Sequence, residues 1–206
     1  EDNKGASAVL SGNLSSTIDQ MSPAQAEIEI LKSRLVLGNV INRLNLDIEI
    51  SGIENSFWNR LLKTNTYTTQ YSEKSIIFHD NQKSFEIREF SIPTNFLNKN
   101  LSLNFEQGRY ILTDTSTKLE ILSAPLNQIS QFQSEHGLWR VGVFSQDRFN
   151  STYNIRKQNL PTAVSNILNH LQISEKGKGA GIISLNYQGT NKEHITQVLN
   201  AILVTY

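Results

Sequence analysis

The sequence predicts an α/β (α+β) fold, in which a mixed sheet packed with helices carries an inserted antiparallel β-sandwich or jelly-roll-like lobe. Three observations predict it. Apolar residues keep a helical spacing near both ends of the chain, they alternate with polar residues through its middle, and turn-forming residues separate the alternating runs. A chain of 206 residues is long enough for one large domain or two small ones, and it can bury a core without a disulfide or metal.

Residues 1–21 are rich in Ser, Gly and Asn and read as an irregular lead-in. Ser22-Pro23 then supplies an N-cap followed by proline at the first helical position. The helix it opens keeps Ala24, Ile28, Leu31, Leu35, Val36, Leu37, Ile41 and Leu44 in register, with Glu27 and Glu29 placed near the positive end of its dipole. Gly38 in its interior predicts a close backbone contact or a bend. Residues 46–50 alternate as a half-buried strand does, and residues 57–62 fit a short helix.

Between residues 71 and 152 the period shifts from 3.6 toward 2. Residues 75–79, 85–92, 101–105, 109–113, 118–122 and 138–144 read as strands. Glu106-Gln107-Gly108 predicts a three-residue hairpin, and residues 114–117 a second tight connection. Pro161 opens a helix with a stripe of Val164, Ile167, Leu168 and Leu171, followed by a glycine-rich turn over residues 176–181 and a strand over 182–187. Thr190 and Glu193 predict a capping box for a last helix that carries Ile195, Val198, Leu199, Ile202 and Leu203. Residues 1–66 and 153–206 thus form a base, with residues 46–50 and 182–187 in one sheet, and residues 67–152 form the insert.

The 38% apolar and 18% charged content, with a mean hydropathy of −0.35, describes a polar-surfaced domain. Nineteen basic residues balance nineteen acidic ones, so the cationic field that draws nucleic acid or an anionic membrane is missing. No nucleic-acid partner is expected. The absence of cysteine removes thiolate nucleophiles, Cys-based zinc sites and disulfides. No apolar run approaches the roughly 20 residues that span a bilayer, and the first residues lack the pattern of a signal peptide. A start without Met and a stop at Tyr206 inside a helical pattern predict a piece of a longer chain.

No motif points to catalysis. The stretch 175–181 has lysines among glycines, but no Ser or Thr follows Lys178 and the loop precedes a strand, so a turn needing positive φ is expected rather than a phosphate-binding loop. His79, His136, His170 and His194 lie in separate segments without metal-ligand spacing. Glu135-His136 and Glu193-His194 are sequence neighbours, which on a helix or strand point apart. Trp58, Trp139 and the tyrosines could stack on sugars, but aromatics at alternating strand positions are more often core. Catalytic, cofactor-binding and metal residues are therefore expected to be absent.

The run Ser22-Pro-Ala-Gln-Ala-Glu-Ile-Glu-Ile-Leu-Lys-Ser-Arg34, continued by Val36-Leu37-Gly38 and Leu44-Asn45-Leu46-Asp47-Ile48, resembles the membrane-proximal motif of Wzc-type bacterial tyrosine autokinases. A second run, Ile173-Ser-Glu-Lys-Gly-Lys-Gly-Ala-Gly-Ile182 with Val198-Leu199-Asn200, resembles the segment before that family's long helices. Phe90-Ser-Ile-Pro93 and Gly108-Arg-Tyr110 look like its middle insert. The resemblance implies the periplasmic domain of a bacterial inner-membrane polysaccharide co-polymerase, of the chain-length-determinant superfamily. It implies two membrane spans flanking this domain and a cytoplasmic kinase, with a tyrosine-rich tail, that holds ATP and Mg²⁺. None of those parts is in this sequence, so no kinase residue carries over and no cofactor is expected in this chain.

The partners the resemblance implies are the chain itself in a ring-like homo-oligomer, a polysaccharide polymerase and an outer-membrane export channel, with the polysaccharide as a further candidate. Glu27, Glu29, Lys32 and Arg34 are the candidate oligomer interface, because opposite charges meet in the family-like motif; a solvated face is the bland alternative. A carbohydrate-binding module, the same domain of a kinase-less Wzz-type regulator, and a glycan-processing enzyme are the competing readings.

Overall fold

A computed structural model describes residues 22–53, 67–149, 151–177 and 179–206. The expected lead-in, the short helix over 57–62 and Trp58 lie outside the described residues. In chain order the elements are α1 (Pro23–Leu31), α2 (Arg34–Leu44), β1 (Ile48–Gly52), β2 (Tyr67–Tyr71), β3 (Ile76–Asp80), β4 (Lys83–Ser91), a 3-10 turn (Thr94–Phe96), β5 (Leu101–Glu106), β6 (Arg109–Asp114), β7 (Glu120–Pro125), β8 (Gln128–Ser134), β9 (Gly137–Phe144), β10 (Tyr153–Lys157), α3 (Leu160–His170), β11 (Leu171–Glu175), β12 (Ile183–Tyr187) and α4 (Lys192–Thr205). The described residues fall into two compact units, one within residues 38–166 and one of residues 22–37 with 167–206.

The larger unit is a β-sandwich. One sheet has the order β1-β10-β5-β6-β7 and the other β2-β3-β4-β9-β8. Both are antiparallel at every pairing among the described residues. Alternation decides which side chains enter: Leu101 and Leu103, Tyr110 and Leu112, and Tyr153 and Ile155 from the first sheet meet Ile76 and Phe78, Phe85 and Ile87, and Trp139, Val141 and Val143 from the second in one core. On β4 a bulge between Ile87 and Glu89 resets the phase, which is why Phe90 also turns inward.

Two hydroxyls join the sheets. Tyr110 donates to the Val141 carbonyl at 2.9 Å and Tyr153 donates to Asp80 Oδ2 at 2.6 Å. Burial pushes the Tyr110 phenol up to about 12, and burial together with the Asp80 carboxylate raises that of Tyr153 further.

The expected sheet joining residues 46–50 to 182–187 is not formed. β1 pairs with β10, Ile50 opposite Ile155, and so extends the sandwich, while β12 pairs with β11. Ion pairs on this edge favour the observed partner: Asp47 meets Lys157 at 2.7 Å and Glu49 meets Arg156 at 2.5 Å. The buried Gln158 amide donates to Glu49 Oε1 and accepts from Asn166 at 3.0 Å. Asn45, at φ 56, takes the left-handed conformation that ends α2, so Leu44-Asn45-Leu46-Asp47 is a helix stop leading into a strand.

The predicted three-residue hairpin is a two-residue one. Glu106 pairs with Arg109, leaving Gln107 and Gly108 with φ of 45° and 81°, the pair of positive values that matches the twist of the flanking strands. In the next connection Asp114 Oδ1 accepts from the Ser116 hydroxyl at 2.5 Å, from the Ser116 amide at 2.8 Å and from the Thr117 amide at 3.4 Å. Those bonds, the Ser116 hydroxyl first, hold the Asp114 carboxyl below its ordinary range. A depressed carboxylate stabilises fully above its unfolded pKa of about 3.9, and its contribution is lost as pH falls through the lower folded value. Asp114→Asn keeps an acceptor but not the charge. It is expected to cost about 1 kcal/mol at neutral pH, a gap that closes in melts recorded below about pH 3.9.

In the smaller unit α1 packs on β11 and α4 on β12. The single long helix expected over residues 23–44 is two helices. Lys32 ends α1, and the Ser33 hydroxyl accepts from the Val36 amide at 3.3 Å, capping the next helix. Gly38 is not the bend: a Cβ there would meet only the Leu160 side chain at an ordinary 3.5 Å.

β11 follows α3 without a turn residue, so Leu171, expected on the helix stripe, opens a strand. The α4 cap is Asn191, whose Oδ1 accepts from the His194 amide at 3.1 Å, in place of the Thr190–Glu193 box. The turn between β11 and β12 does need left-handed backbone: Gly177, Gly179 and Gly181 have φ of 88°, 76° and 65°.

Candidate functional site

Glu27, Glu29, Lys32 and Arg34 lie on one short stretch of the smaller unit, the first two on α1, Lys32 at its C-cap and Arg34 at the first position of α2. Glu27, Glu29 and Arg34 are exposed and Lys32 is half-buried. Among the described residues none of the four is in an ion pair, within the group or outside it.

The break at Ser33 changes their electrostatics. A nine-residue α1 places Glu29 near the negative end of a helix dipole, not the positive end expected for one long helix, and Arg34 stands at the positive end of α2. Glu29 and Arg34 stand against the local helix dipoles, which helix stabilisation does not account for, whereas Lys32 at the C-cap of α1 complements its dipole. Two large apolar side chains stand beside them in solvent, Ile30 at 50% and Leu35 at 76% exposure. Sequence reading placed Leu35 on the buried stripe. The Ser33 cap, a helix-start signal inside an apolar run, is what could have shown that the stripe restarts there.

Trp139 is wholly buried, its Nε1 donating to Ser134 Oγ at 3.2 Å, so it is core and offers no ring to a ligand. His136 meets Glu135 at 3.2 Å, which sequence adjacency was expected to prevent, because both sit in the exposed β8–β9 turn instead of on a strand. The Tyr187 ring is 6.1 Å, centroid to centroid, from each of the His170 and His194 rings. Burial raises the Tyr187 phenol and lowers the His194 imidazole. Among the described residues no three His, Asp or Glu side chains are grouped to hold a metal ion, and no helix is long and apolar enough to cross a membrane.

Over all 206 residues the chain is 56% identical to the tyrosine-protein kinase ptk of Acinetobacter johnsonii. It is homologous to one segment of the Wzc-type tyrosine-protein kinases. The tyrosine-protein kinase wzc of Salmonella typhimurium is 25% identical, and so is a putative tyrosine-protein kinase, EpsB, of Ralstonia solanacearum, each over the whole of this chain.

The chain spans 28% of the length of the Acinetobacter and Ralstonia kinases and 26% of the Salmonella one. No family model matches it. A flagellar hook junction protein, FlgK of Burkholderia pseudomallei, shares 16% identity over 66% of this chain and 23% of its own, at a TM-score of 0.28, too slight a likeness to bear on fold or function. The motif resemblance at residues 22–48 and 173–182 and the match of the whole chain to part of these kinases agree.

Proposed function

We propose that this chain is the periplasmic oligomerisation and assembly domain of a bacterial inner-membrane tyrosine autokinase that regulates capsule or exopolysaccharide polymerisation, chain length and export. The full-length match to about a quarter of a tyrosine kinase carries the reading. On this reading ATP and Mg²⁺ are bound elsewhere in the parent protein, and this chain performs no reaction itself. Its partners are further copies of itself in a ring, the polysaccharide polymerase and the outer-membrane export channel.

The α1–α2 stretch supports the ring contact. It combines exposed Ile30 and Leu35 with acidic and basic side chains that have no partner among the described residues, the composition of an apolar contact with a charged rim. Glu27 and Glu29 of one copy would face Lys32 and Arg34 of the next, a head-to-tail contact of the kind that closes rings. The test is the double charge reversal Lys32→Glu, Arg34→Glu in the full-length protein. Reversing both cations turns attraction into like-charge repulsion. The expected result is a shift from the ring to smaller species in detergent, with a changed polymer length distribution in cells. Unchanged assembly size together with unchanged polymer length would remove the interface. Restoration of the ring by Glu27→Lys, Glu29→Lys in the reversed background would confirm the pairing.

A further inference from the structure

Three connections of the sandwich, β5–β6, β7–β8 and β9–β10, gather at one end and enclose a cleft of about 930 Å³. Its frame is rigid. Asn127 clasps Ser145 twice, its Oδ1 accepting from the Ser145 amide at 2.9 Å and its Nδ2 donating to the Ser145 carbonyl at 3.1 Å. Asp147 Oδ2 accepts from the Ser84 amide at 2.8 Å, and the Ser145 hydroxyl donates to the Ser84 carbonyl at 2.7 Å. One wall is aromatic: the Phe105 and Phe149 rings, 4.7 Å apart, join the core behind it.

Around this frame stand Glu106, Gln107, Gln146 and Arg148, all exposed. Their side chains make no hydrogen bond or ion pair among the described residues. A second cleft of about 450 Å³ adjoins the first and shares Asn127, Ser145, Gln146 and Asp147 with it. Phe144 lines it, and the Arg88 guanidinium sits over that ring at 4.1 Å while donating to Glu86 at 2.8 Å.

We infer that these adjoining clefts bind a segment of a glycan chain. Carboxylate, amide and guanidinium groups each present two coplanar polar atoms, the geometry that meets neighbouring hydroxyls of a sugar, and the half-buried Phe105 offers a ring to a sugar's C–H face. A polar, half-open cleft does not suit an apolar small molecule, which needs an apolar and enclosing pocket. Two joined clefts fit the interior of a polymer better than a compact ligand. Acidic Glu106 and Asp147 are balanced by Arg109 and Arg148, so the cleft lacks the cationic field that a polyanion such as nucleic acid requires. The choice of a glycan over other polar chains rests on the proposed function. The site itself is built from residues of the sandwich.

The test is a titration of the 206-residue chain with oligosaccharides cut from the exopolysaccharide of the producing strain, followed by amide NMR shifts. Saturable shifts confined to residues 105–109 and 144–149 are the expected result. Glu106→Ala with Gln146→Ala removes two hydrogen-bonding side chains and raises Kd about ten-fold or more. Arg148→Ala weakens binding in the same direction, and Gln131→Ala, exposed on β8, leaves it unchanged. All four positions are exposed, and thermal melts check that each variant is folded. Absence of saturable shifts, shifts centred elsewhere, or equal weakening by Gln131→Ala would overturn the site. Such a failure leaves the ring reading standing, because charge reversal at Lys32 and Arg34 is read by assembly size without added glycan.

Discussion

Trp139→Ala is expected to destabilise the sandwich by about 3–5 kcal/mol, the range for truncating a large buried aromatic. At about 2–4 °C per kcal/mol for a chain of this size, that lowers the thermal midpoint by roughly 6–20 °C. The indole is completely buried in the middle of β9, edge-on to Phe96 at 4.7 Å between ring centroids, with the β8 residue Phe132 as its cross-strand partner. β9 itself is hydrogen-bonded to a neighbour on each side, β4 and β8, and cannot shift into the space the ring would leave. Trp139→Phe keeps most of the volume and loses the bond to Ser134, so about 1–2 kcal/mol is expected. Circular dichroism melts decide between a core ring and a ligand platform. A loss below about 1 kcal/mol for the alanine variant would contradict the core assignment, because an exposed ring costs little to remove.

The elements legible in the sequence are those whose own pattern is strong. The alternation in β4, β5, β6 and β9 and the stripe of α4 are carried by large apolar residues at nearly every second or every third and fourth position, and burial follows them. Two of the strands that escaped sequence reading, β8 and β11, have weak or ambiguous patterns. β8, Gln-Ile-Ser-Gln-Phe-Gln-Ser, lies at the edge of its sheet and is mostly exposed, so no apolar face is written into it. β11 begins at the residue after α3 ends, where Leu171 satisfies both a helical and an alternating period. Sheet partnership was illegible for a different reason. β1 and β10 meet across about a hundred residues, and what selects the pairing is Asp47 with Lys157 and Glu49 with Arg156, charges that carry no label in either segment alone.

The candidate surfaces divide in the same way. Glu27, Glu29, Lys32 and Arg34 were visible as a charged run, but the opposition of Glu29 and Arg34 to the helix dipoles follows only from the break at Ser33. The glycan cleft has no sequence signature. Its residues come from 105–109, 126–127 and 145–149, segments that separately read as ordinary turns and strand ends. Crossing from β7 to β8 and from β9 to β10 between the sheets is what brings them to one end.

That end of the sandwich depends on Tyr153, and substitutions there separate fold from site. Its ring touches those of Phe78, Phe85, Phe105 and Phe149 at centroid distances between 5.1 and 5.9 Å, so it supports both aromatic residues of the cleft wall. Tyr153→Phe keeps the ring and removes only the hydroxyl that reaches Asp80, at an expected cost of about 1.5–3 kcal/mol for a bond to a carboxylate. Tyr153→Ala adds the cavity, and about 3–5 kcal/mol or more is expected.

The phenylalanine variant also changes the alkaline limb. A phenol raised in the fold stabilises fully below its unfolded pKa of about 10, and that contribution is lost as pH rises toward the folded value. For Tyr110 the window ends at about 12, and for Tyr153 it lies higher, so Tyr153→Phe should unfold less steeply above pH 10 than the parent chain. If the clefts hold glycan as inferred, Tyr153→Phe binds it like the parent chain at neutral pH. Tyr153→Ala, studied well below its melting point, binds more weakly because Phe105 and Phe149 have lost the ring they lean on. Equal binding by both variants would mean that the wall does not need the core behind it.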